Sequence, residues 1–224
     1  MINNVKKLIF ITLFTLIICL ISCANTNSNH QNNSISLAEN FKGLFYLGAA
    51  INEPTILGND SKSKKIVINQ FNSITPENSL KWMFIQPKPN QFNFNAADKY
   101  IQIGIDNDMY IVGHALVWHA QLADFMQNTK NKKEFKSHVN NHLNNLVTRY
   151  KGKINAWDVV NEAFEEDGRL RKSVFYKNMG ENYIEDIFKL AQKLDPKASL
   201  IYNDYNLYKP KKRAAVLKMV EQFK

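Results

Sequence analysis

Apolar positions along the chain alternate between two spacings from Phe45 onward. Short continuous apolar runs are separated by longer segments in which apolar residues recur every three or four positions. The short runs predict five strands, at 45–50, 71–75, 110–116, 154–160 and 199–203. The longer segments predict five helices, at 64–69, 96–107, 132–150, 183–194 and 211–223. Strict alternation of strand and helix predicts a parallel sheet, either in a doubly wound layer or in a barrel.

Polar residues cluster directly after the apolar runs, and their position separates these two architectures. They follow four of the predicted strands, in the segments 73–78, 113–119, 158–162 and 203–206. The first strand–helix turn, 47–52, lacks the glycine-rich GxGxxG pattern, so a nucleotide-binding doubly wound fold loses its main support. Active-site residues of a (β/α)8 barrel come from the C-terminal ends of several strands. The pattern therefore favours the barrel.

The residue types at these strand ends indicate a pocket for a polyhydroxylated ligand. Amides and carboxylates bind hydroxyl groups, while aromatic faces lie against sugar rings. Glu162 follows a strand of buried type, where its carboxyl group is suited to donate a proton to a leaving oxygen. The alternative is a strand-end glutamate paired with a lysine. Of the three tryptophans, Trp157 is expected in the core, and Trp82 and Trp118 in the pocket.

The histidines His114 and His119 lie five residues apart, with a tryptophan between them. They lack the i, i+4 spacing of helical zinc pairs, and no cysteine follows residue 23 to assist them. We therefore expect local hydrogen bonding at these histidines, with no metal and no cofactor.

Composition excludes a disordered protein and raises the question of an anionic partner. Hydrophobic residues make up 45% of the chain and aromatic residues 12%, which supports a buried core and excludes a disordered protein. The formal net charge of +9 would suit an anionic partner such as a nucleic acid. The lysines are scattered along the chain, however, so we expect a solvated basic surface and no nucleic-acid partner.

The N-terminus has the pattern of an export signal. Lys6 and Lys7 precede an apolar run, 8–21, that is too short to span a bilayer but fits a signal peptide. The following residues, Leu20-Ile21-Ser22-Cys23, resemble a bacterial lipobox, in which the cysteine becomes the acylated N-terminus. An ordinary secretory signal with an incidental cysteine is the alternative. The predicted segments are a lipoprotein-type signal peptide (1–22), a flexible polar tether (23–40) and one catalytic domain (41–224).

Four motifs together resemble the successive signatures of glycoside hydrolase family 10, the endo-β-1,4-xylanases. They occur in that family's order and spacing, at Thr75-Pro76-Glu77-Asn78-Ser79-Leu80-Lys81-Trp82, Gly113-His114-Ala115-Leu116-Val117-Trp118-His119-Ala120-Gln121, Trp157-Asp158-Val159-Val160-Asn161-Glu162-Ala163-Phe164 and Asn203-Asp204-Tyr205-Asn206. The resemblance implies a (β/α)8 barrel, xylan or xylo-oligosaccharides as substrate, a retaining mechanism and chemistry without a metal.

The resemblance also implies roles for individual residues. Glu162 corresponds to the general acid/base, and Asn161 to the residue that contacts the 2-hydroxyl of the sugar at the cleaved bond. The positions that bind xylose units on the non-reducing side correspond to Glu77, Asn78, Lys81 and Gln121. The subsite where the bond breaks is lined by His114 and Trp118 and supported by His119. Tyr205 and Asn206 correspond to a stretch on the leaving-group side.

The retaining mechanism needs a second carboxylate as nucleophile. In the family this group lies in a Thr-Glu-Leu-Asp-like motif on the seventh strand, whereas the apolar pattern here predicts five strand–helix units. We therefore expect a fragment of an exported, lipid-anchored xylanase that lacks the nucleophile. The alternative is a non-catalytic remnant that binds xylan through Glu77, Asn78, Lys81 and Trp118.

Overall fold

The computed structural model describes residues 35–223, whose strands form one parallel sheet. The strands are β1 (Gly48–Ile51), β2 (Ser73–Pro76), β3 (Tyr110–Trp118), β4 (Ala156–Asn161) and β5 (Ser199–Asn203). Their spatial order is β1-β2-β3-β4-β5, and each neighbouring pair is parallel. A doubly wound sheet reverses its strand order partway across. The unbroken order is that of successive units of a (β/α)8 barrel, which confirms the predicted fold class.

The helices alternate with the strands as the sequence predicts. In chain order they are α1 (Leu37–Asn40), α2 (Glu53–Leu57), α3 (Ser61–Gln70), α4 (Trp82–Ile85), α5 (Asn95–Asp106), α6 (Asp124–Asn128), α7 (Lys132–Arg149), α8 (Val174–Met179), α9 (Tyr183–Leu194) and α10 (Pro210–Gln222). The long helices α3, α5, α7, α9 and α10 match the predicted ones, with ends shifted by up to three residues. The short helices were not predicted, because four to six residues are too few to show a helical period.

The described segment before β1 contains helix α1. The Ser36 hydroxyl oxygen accepts a hydrogen bond from the Glu39 N–H, and the Leu37 N–H donates to Gln70 Oε1, both at 3.1 Å. Residues 37–40, predicted as the end of a flexible tether, are therefore a capped helix held to α3. Residues 23–34 of that tether, which include Cys23, and the predicted signal peptide lie outside the described residues.

Within residues 35–223, no helix combines the length and the apolar character needed to cross a bilayer.

The apolar core surrounds β4, every residue of which is buried. Trp157 is fully buried, as predicted, and pairs in register with Gly113 on β3. The Trp157 ring packs against the Gly113 backbone because Gly113 has no side chain. A Cβ atom at position 113 would overlap the benzo ring of Trp157.

Gly113→Ala is expected to lower the free energy of unfolding by about 1–3 kcal/mol, because it overpacks the core against Trp157. The measurement is the midpoint of urea denaturation. Gly48→Ala is the matched control, since a Cβ at that position in β1 would meet Ser73 at an ordinary 3.6 Å. Equal midpoints for the two variants would contradict the assigned packing.

A buried stack of a histidine ring on a tryptophan ring joins helices α4 and α7. The rings of Trp82 and His142 lie 3.8 Å apart and nearly parallel, and His142 Nδ1 is 3.0 Å from Gln86 Oε1. Trp82 is only 3% exposed, so its predicted place in the pocket is wrong. The helical turn of α4 directs this indole inward, although it directly follows Lys81 in the sequence.

His142 makes the free energy of unfolding depend on pH below about 6.5. Burial lowers the pKa of His142 from its ordinary 6.5 to about 3. Below pH 6.5 the unfolded chain therefore binds a proton that the folded chain excludes until about pH 3. As pH falls through this window, we expect the His142 contribution to reduce the free energy of unfolding by about 1.4 kcal/mol per pH unit.

The measurement is urea denaturation at several pH values between about 6 and 5, where carboxylates contribute least. His142→Gln should reduce the slope and leave the smaller contribution of His119, whose pKa burial also lowers. His138→Gln, on the same helix α7, is the control and should keep the slope. An unchanged slope in His142→Gln would show that another group carries the pH dependence.

Candidate active site

The carboxylate singled out from the sequence, Glu162, lies directly after β4 in a left-handed backbone conformation with φ of 54°. This region is strained for a residue with a Cβ atom and persists only where surrounding contacts hold it. The Glu162 N–H donates to the Asn203 carbonyl oxygen at 2.9 Å, and the Glu162 carbonyl oxygen accepts from Arg171 Nε at 3.1 Å. The backbone of Glu162 is thus fixed from two sides.

The side chain of Glu162 is held by the neighbouring strand. Trp118, the last residue of β3, pairs in register with Asn161 of β4. Its indole Nε1 donates a hydrogen bond to Glu162 Oε2 at 2.9 Å. The carboxyl group therefore stands beside an aromatic side chain, at the C-terminal ends of two adjacent strands.

Three polar residues from the loops after β2 and β3 converge on one another. Asn78 Oδ1 accepts hydrogen bonds from Lys81 Nζ and from Gln121 Nε2, each at 3.2 Å. The Lys81 ammonium also lies 4.7 Å from the ring centroid of Trp118. The resulting cluster of Asn78, Lys81 and Gln121 is contiguous with Glu162 through Trp118.

The charge on Lys81 is balanced by two carboxylates. Partial burial lowers the pKa of Lys81, and the negative charges of Glu162 and Glu77 oppose that shift. Glu77 directly follows β2, and its backbone N–H donates to the Ile51 carbonyl oxygen at 2.9 Å. Lys81 thus lies between the candidate acid/base and a second, exposed carboxylate.

His114 is oriented by a residue that the sequence did not single out. Its Nδ1 lies 2.8 Å from Asp158 Oδ2, and these side chains are 16% and 10% exposed. Asp158 faces His114 across the β3–β4 register. The sequence does carry a signal for Asp158, since it is a charged residue inside an otherwise apolar strand. A buried carboxylate requires a partner, which the signal therefore predicts.

His119 lies beside the same site. Burial and, secondarily, the positive charge of Arg171 lower the pKa of His119. Its Nδ1 atom is buried without a hydrogen-bond partner in the part of the chain that the structure describes. Across residues 35–223, no three histidine, cysteine or carboxylate side chains are grouped so as to hold a metal ion.

The remaining predicted site residues are Asn161, which lies inside the site, and Tyr205 and Asn206, which lie at its margin. Asn161, at the end of β4, lies inside the site, and its side-chain amide is 2.9 Å from that of Asn203. Tyr205 and Asn206 follow β5, and their contacts lie away from Glu162. Asn206 Nδ2 donates to Glu166 at 2.6 Å, while Tyr205 is 44% exposed. The structure thus joins the predicted residues of β2–β4 and leaves these two at the margin.

The arrangement supports proton transfer to a bound carbohydrate. Glu162 can exchange a proton with an oxygen placed near Trp118, whose indole face offers a surface for a sugar ring. The amides and ammonium of the Asn78, Lys81 and Gln121 cluster provide hydrogen bonds for sugar hydroxyls. The roles assigned to these residues individually remain predictions.

Comparison with known proteins identifies the family of this chain. Residues 36–224 match the family model of Glycosyl hydrolase family 10. The chain is 37% identical to endo-1,4-beta-xylanase 2 of Claviceps purpurea and 40% identical to beta-1,4-xylanase of Dictyoglomus thermophilum. These matches cover 90% and 84% of this chain, and 62% and 53% of the respective relatives. The chain thus spans somewhat more than half the length of these relatives.

A solved structure supports the same assignment. Xylanase 10B from Thermotoga petrophila, in complex with xylobiose, superposes with a TM-score of 0.81 at 36% identity, over 84% of this chain and 59% of that one. At this identity, the likeness is one of sequence as well as of fold. With a family match that runs from α1 to the last residue, the chain belongs to glycosyl hydrolase family 10.

Proposed function

We propose that this chain contributes the acid/base side of a retaining endo-β-1,4-xylanase, with xylan and xylo-oligosaccharides as substrates. The observation that carries the proposal is the Glu162 carboxyl group, held at the end of β4 by the Trp118 indole at 2.9 Å. The relatives named above are xylanases, and one solved neighbour contains xylobiose. Both facts favour a β-1,4-linked xylose polymer among polyhydroxylated ligands.

In this mechanism Glu162 acts twice. It first donates its proton to the glycosidic oxygen, while a second carboxylate attacks the anomeric carbon and forms a glycosyl-enzyme intermediate. Glu162, now ionised, then takes a proton from the water that releases the sugar. The second carboxylate stands about 5–5.5 Å from the first in retaining enzymes. By the family resemblance, it is expected on a seventh strand, and the described residues contribute β1–β5.

The bound sugar is expected on the side of the Asn78, Lys81 and Gln121 cluster. These groups are already hydrogen-bonded to one another, so little side-chain ordering is needed when a sugar binds. Trp118 links the cluster to Glu162 and supplies an apolar face between them. By the family resemblance, we propose that this cluster binds sugar units on the non-reducing side of the bond that Glu162 protonates.

The deciding experiment measures hydrolysis and binding together. The complete protein, which we define as this chain together with the strand that supplies the second carboxylate, is incubated with xylan and with cellulose, reducing ends are counted, and the anomer released first is read by proton NMR. Release of β-anomers from xylan alone supports the proposal. Calorimetric binding of xylotriose without any hydrolysis would instead favour the xylan-binding role, and failure of both would reject the assignment of this site.

We propose further that the protein is exported and anchored in a membrane through a lipid on Cys23. The support is the sequence pattern of Lys6, Lys7, the apolar run 8–21 and the lipobox-like step that ends at Cys23. Labelling of cells with radioactive palmitate should mark the protein, and Cys23→Ser should abolish the label. A labelled Cys23→Ser variant or an unlabelled wild type would contradict the anchor.

A further inference from the structure

The peptide unit between Glu162 and Ala163 is held at both of its polar atoms. Arg171 Nε donates to the Glu162 carbonyl oxygen at 3.1 Å, and the Ala163 N–H donates to the Tyr202 hydroxyl oxygen at 2.9 Å. Because a peptide unit is planar, two such bonds fix its rotation relative to Glu162. The direction in which the Glu162 side chain leaves the backbone therefore depends on Arg171 and on Tyr202.

The Tyr202 hydroxyl is itself oriented. It donates its proton to Asp204 Oδ2 at 2.5 Å, which leaves its lone pairs free to accept from the Ala163 N–H. Burial, assisted by the hydrogen bond to Asp204, raises the pKa of Tyr202 far above its usual value. The hydroxyl therefore keeps its proton and bridges β4 to the segment after β5.

Asp204 is fixed in turn by a buried lysine from α10. The side chains of Asp204 and Lys212 are both fully buried, and Lys212 Nζ lies 2.6 Å from Asp204 Oδ1. The same oxygen accepts from the Tyr205 N–H at 2.8 Å, and the ammonium lies 3.9 Å from the Tyr205 ring centroid. A buried ion pair adds little net stability over a well-packed apolar pair. Its geometric effect is to provide a charged, immobile acceptor for the Tyr202 hydroxyl.

We infer that Tyr202 is a positioning residue for Glu162, with Asp204 and Lys212 holding its hydroxyl in place. The effect of Tyr202 on catalysis rests on the proposed function, whereas its effect on the position of the Glu162 side chain does not. Without the hydroxyl, the Glu162–Ala163 peptide unit loses one of its two bonds. The carboxyl group then moves relative to the Trp118 indole and to the bond that it protonates.

The first test is Tyr202→Phe, which removes the hydroxyl and keeps the ring. A misplacement of about 1 Å can lower a rate about 100-fold, so we expect kcat on xylan to fall about 10- to 100-fold while KM stays within about twofold. Tyr150→Phe is the matched control, because the Tyr150 hydroxyl is also part-buried and donates to a carboxylate, Asp98, at 2.9 Å. The control should keep both constants within about twofold.

A second readout does not require turnover. The Trp118 indole N–H bonds to Glu162, so its proton–nitrogen NMR resonance reports the position of the carboxyl group. The chain has three tryptophans, and Trp118→Phe assigns the resonance by its loss. Tyr202→Phe should shift it, and Tyr150→Phe should not. If the complete protein, with the strand that supplies the second carboxylate, does not hydrolyse xylan, the proposed function fails and this resonance still decides the inference.

A double variant covers the case in which Tyr202→Phe does not fold. Asp204→Asn with Lys212→Met removes both buried charges and leaves an amide oxygen as a weaker acceptor for Tyr202. Since a charge-assisted hydrogen bond is about twice as strong as a neutral one, we expect a smaller loss of kcat, about 3- to 10-fold, with the same direction of the indole shift. An unmoved indole resonance, or a loss no larger than that of Tyr150→Phe, would overturn the inference.

Discussion

In the complete protein, which also carries the second carboxylate, Glu162→Ala is expected to lower kcat/KM on xylan by about 10²- to 10⁴-fold, the range over which general acid–base catalysis contributes to enzymatic rates. The leaving group of xylan is a sugar alkoxide, which departs poorly without a proton. An aryl xylobioside with an acidic phenol needs far less assistance, so its cleavage should fall much less. Initial rates on both substrates, measured with the same enzyme preparation, give the comparison.

The control for this substitution is Glu185→Ala on α9. Glu185 is partly exposed and ion-paired with Lys189 on the same helix, so its loss removes a carboxylate without touching the site. Its rates should match those of the unsubstituted protein. Equal losses on xylan and on the aryl substrate in Glu162→Ala would exclude the proton-donor role and point to a general defect in binding or folding.

Lys81→Met is expected to raise the Kd for xylotriose about 10- to 100-fold, since hydrogen bonds to charged groups are worth about 1.5–3 kcal/mol. The physical basis is the position of the ammonium, between Asn78 and the Trp118 ring. Methionine keeps most of the stem but offers no donor. Isothermal titration calorimetry measures the change, and it applies whether or not the protein turns over substrate.

Lys99→Met provides the comparison for this binding experiment. Lys99 is exposed on α5 and carries the same charge, so the variant has the same net charge as Lys81→Met. Its affinity for xylotriose should be unchanged. If both variants bind equally, the basic surface rather than the Lys81 site accounts for any effect, and Lys81 is not a sugar-binding residue.

The strands and long helices could be predicted because their apolar pattern is long enough to show a period. Helix α7 has five turns, and its apolar residues form one stripe along them. The apolar residues of β4 are numerous enough to predict a buried strand. Helices such as α2 and α4 contain little more than one turn. Helix α2 is capped by the Asn52 side chain, which accepts from the Thr55 N–H at 3.1 Å, whereas α4 has no side-chain cap.

The site could be predicted only where its residues follow strands directly. Glu162 and Trp118 meet because β3 and β4 are neighbours, which the alternating pattern implies. Arg171 was missed because it reaches Glu162 through a short antiparallel turn-back in which Phe164 bridges Leu170. Nothing in the local sequence around Arg171 distinguishes it from a solvated surface arginine.

The sequence also fails to predict the positions of two further side chains, because contacts between distant segments decide them. Tyr202 reads as one more apolar strand residue, and its hydroxyl acquires a role only when β5 lies beside β4. Trp82 reads as a pocket residue from its place beside Lys81, yet the turn of α4 carries it into the core. In both cases the side-chain direction, which the sequence pattern does not specify, decides the outcome.

The uninterrupted strand order has a consequence for biosynthesis. Each strand pairs with the one made just before it, from Gly48 with Ser73 to Ala156 with Ser199, so paired residues are separated by only about 25 to 45 positions. Sheet growth can therefore follow the chain as it leaves the ribosome, without waiting for a distant segment. Glu162 is added to a sheet that already holds its hydrogen-bond partner Trp118, and Tyr202, which bonds to the next backbone N–H, arrives one strand later.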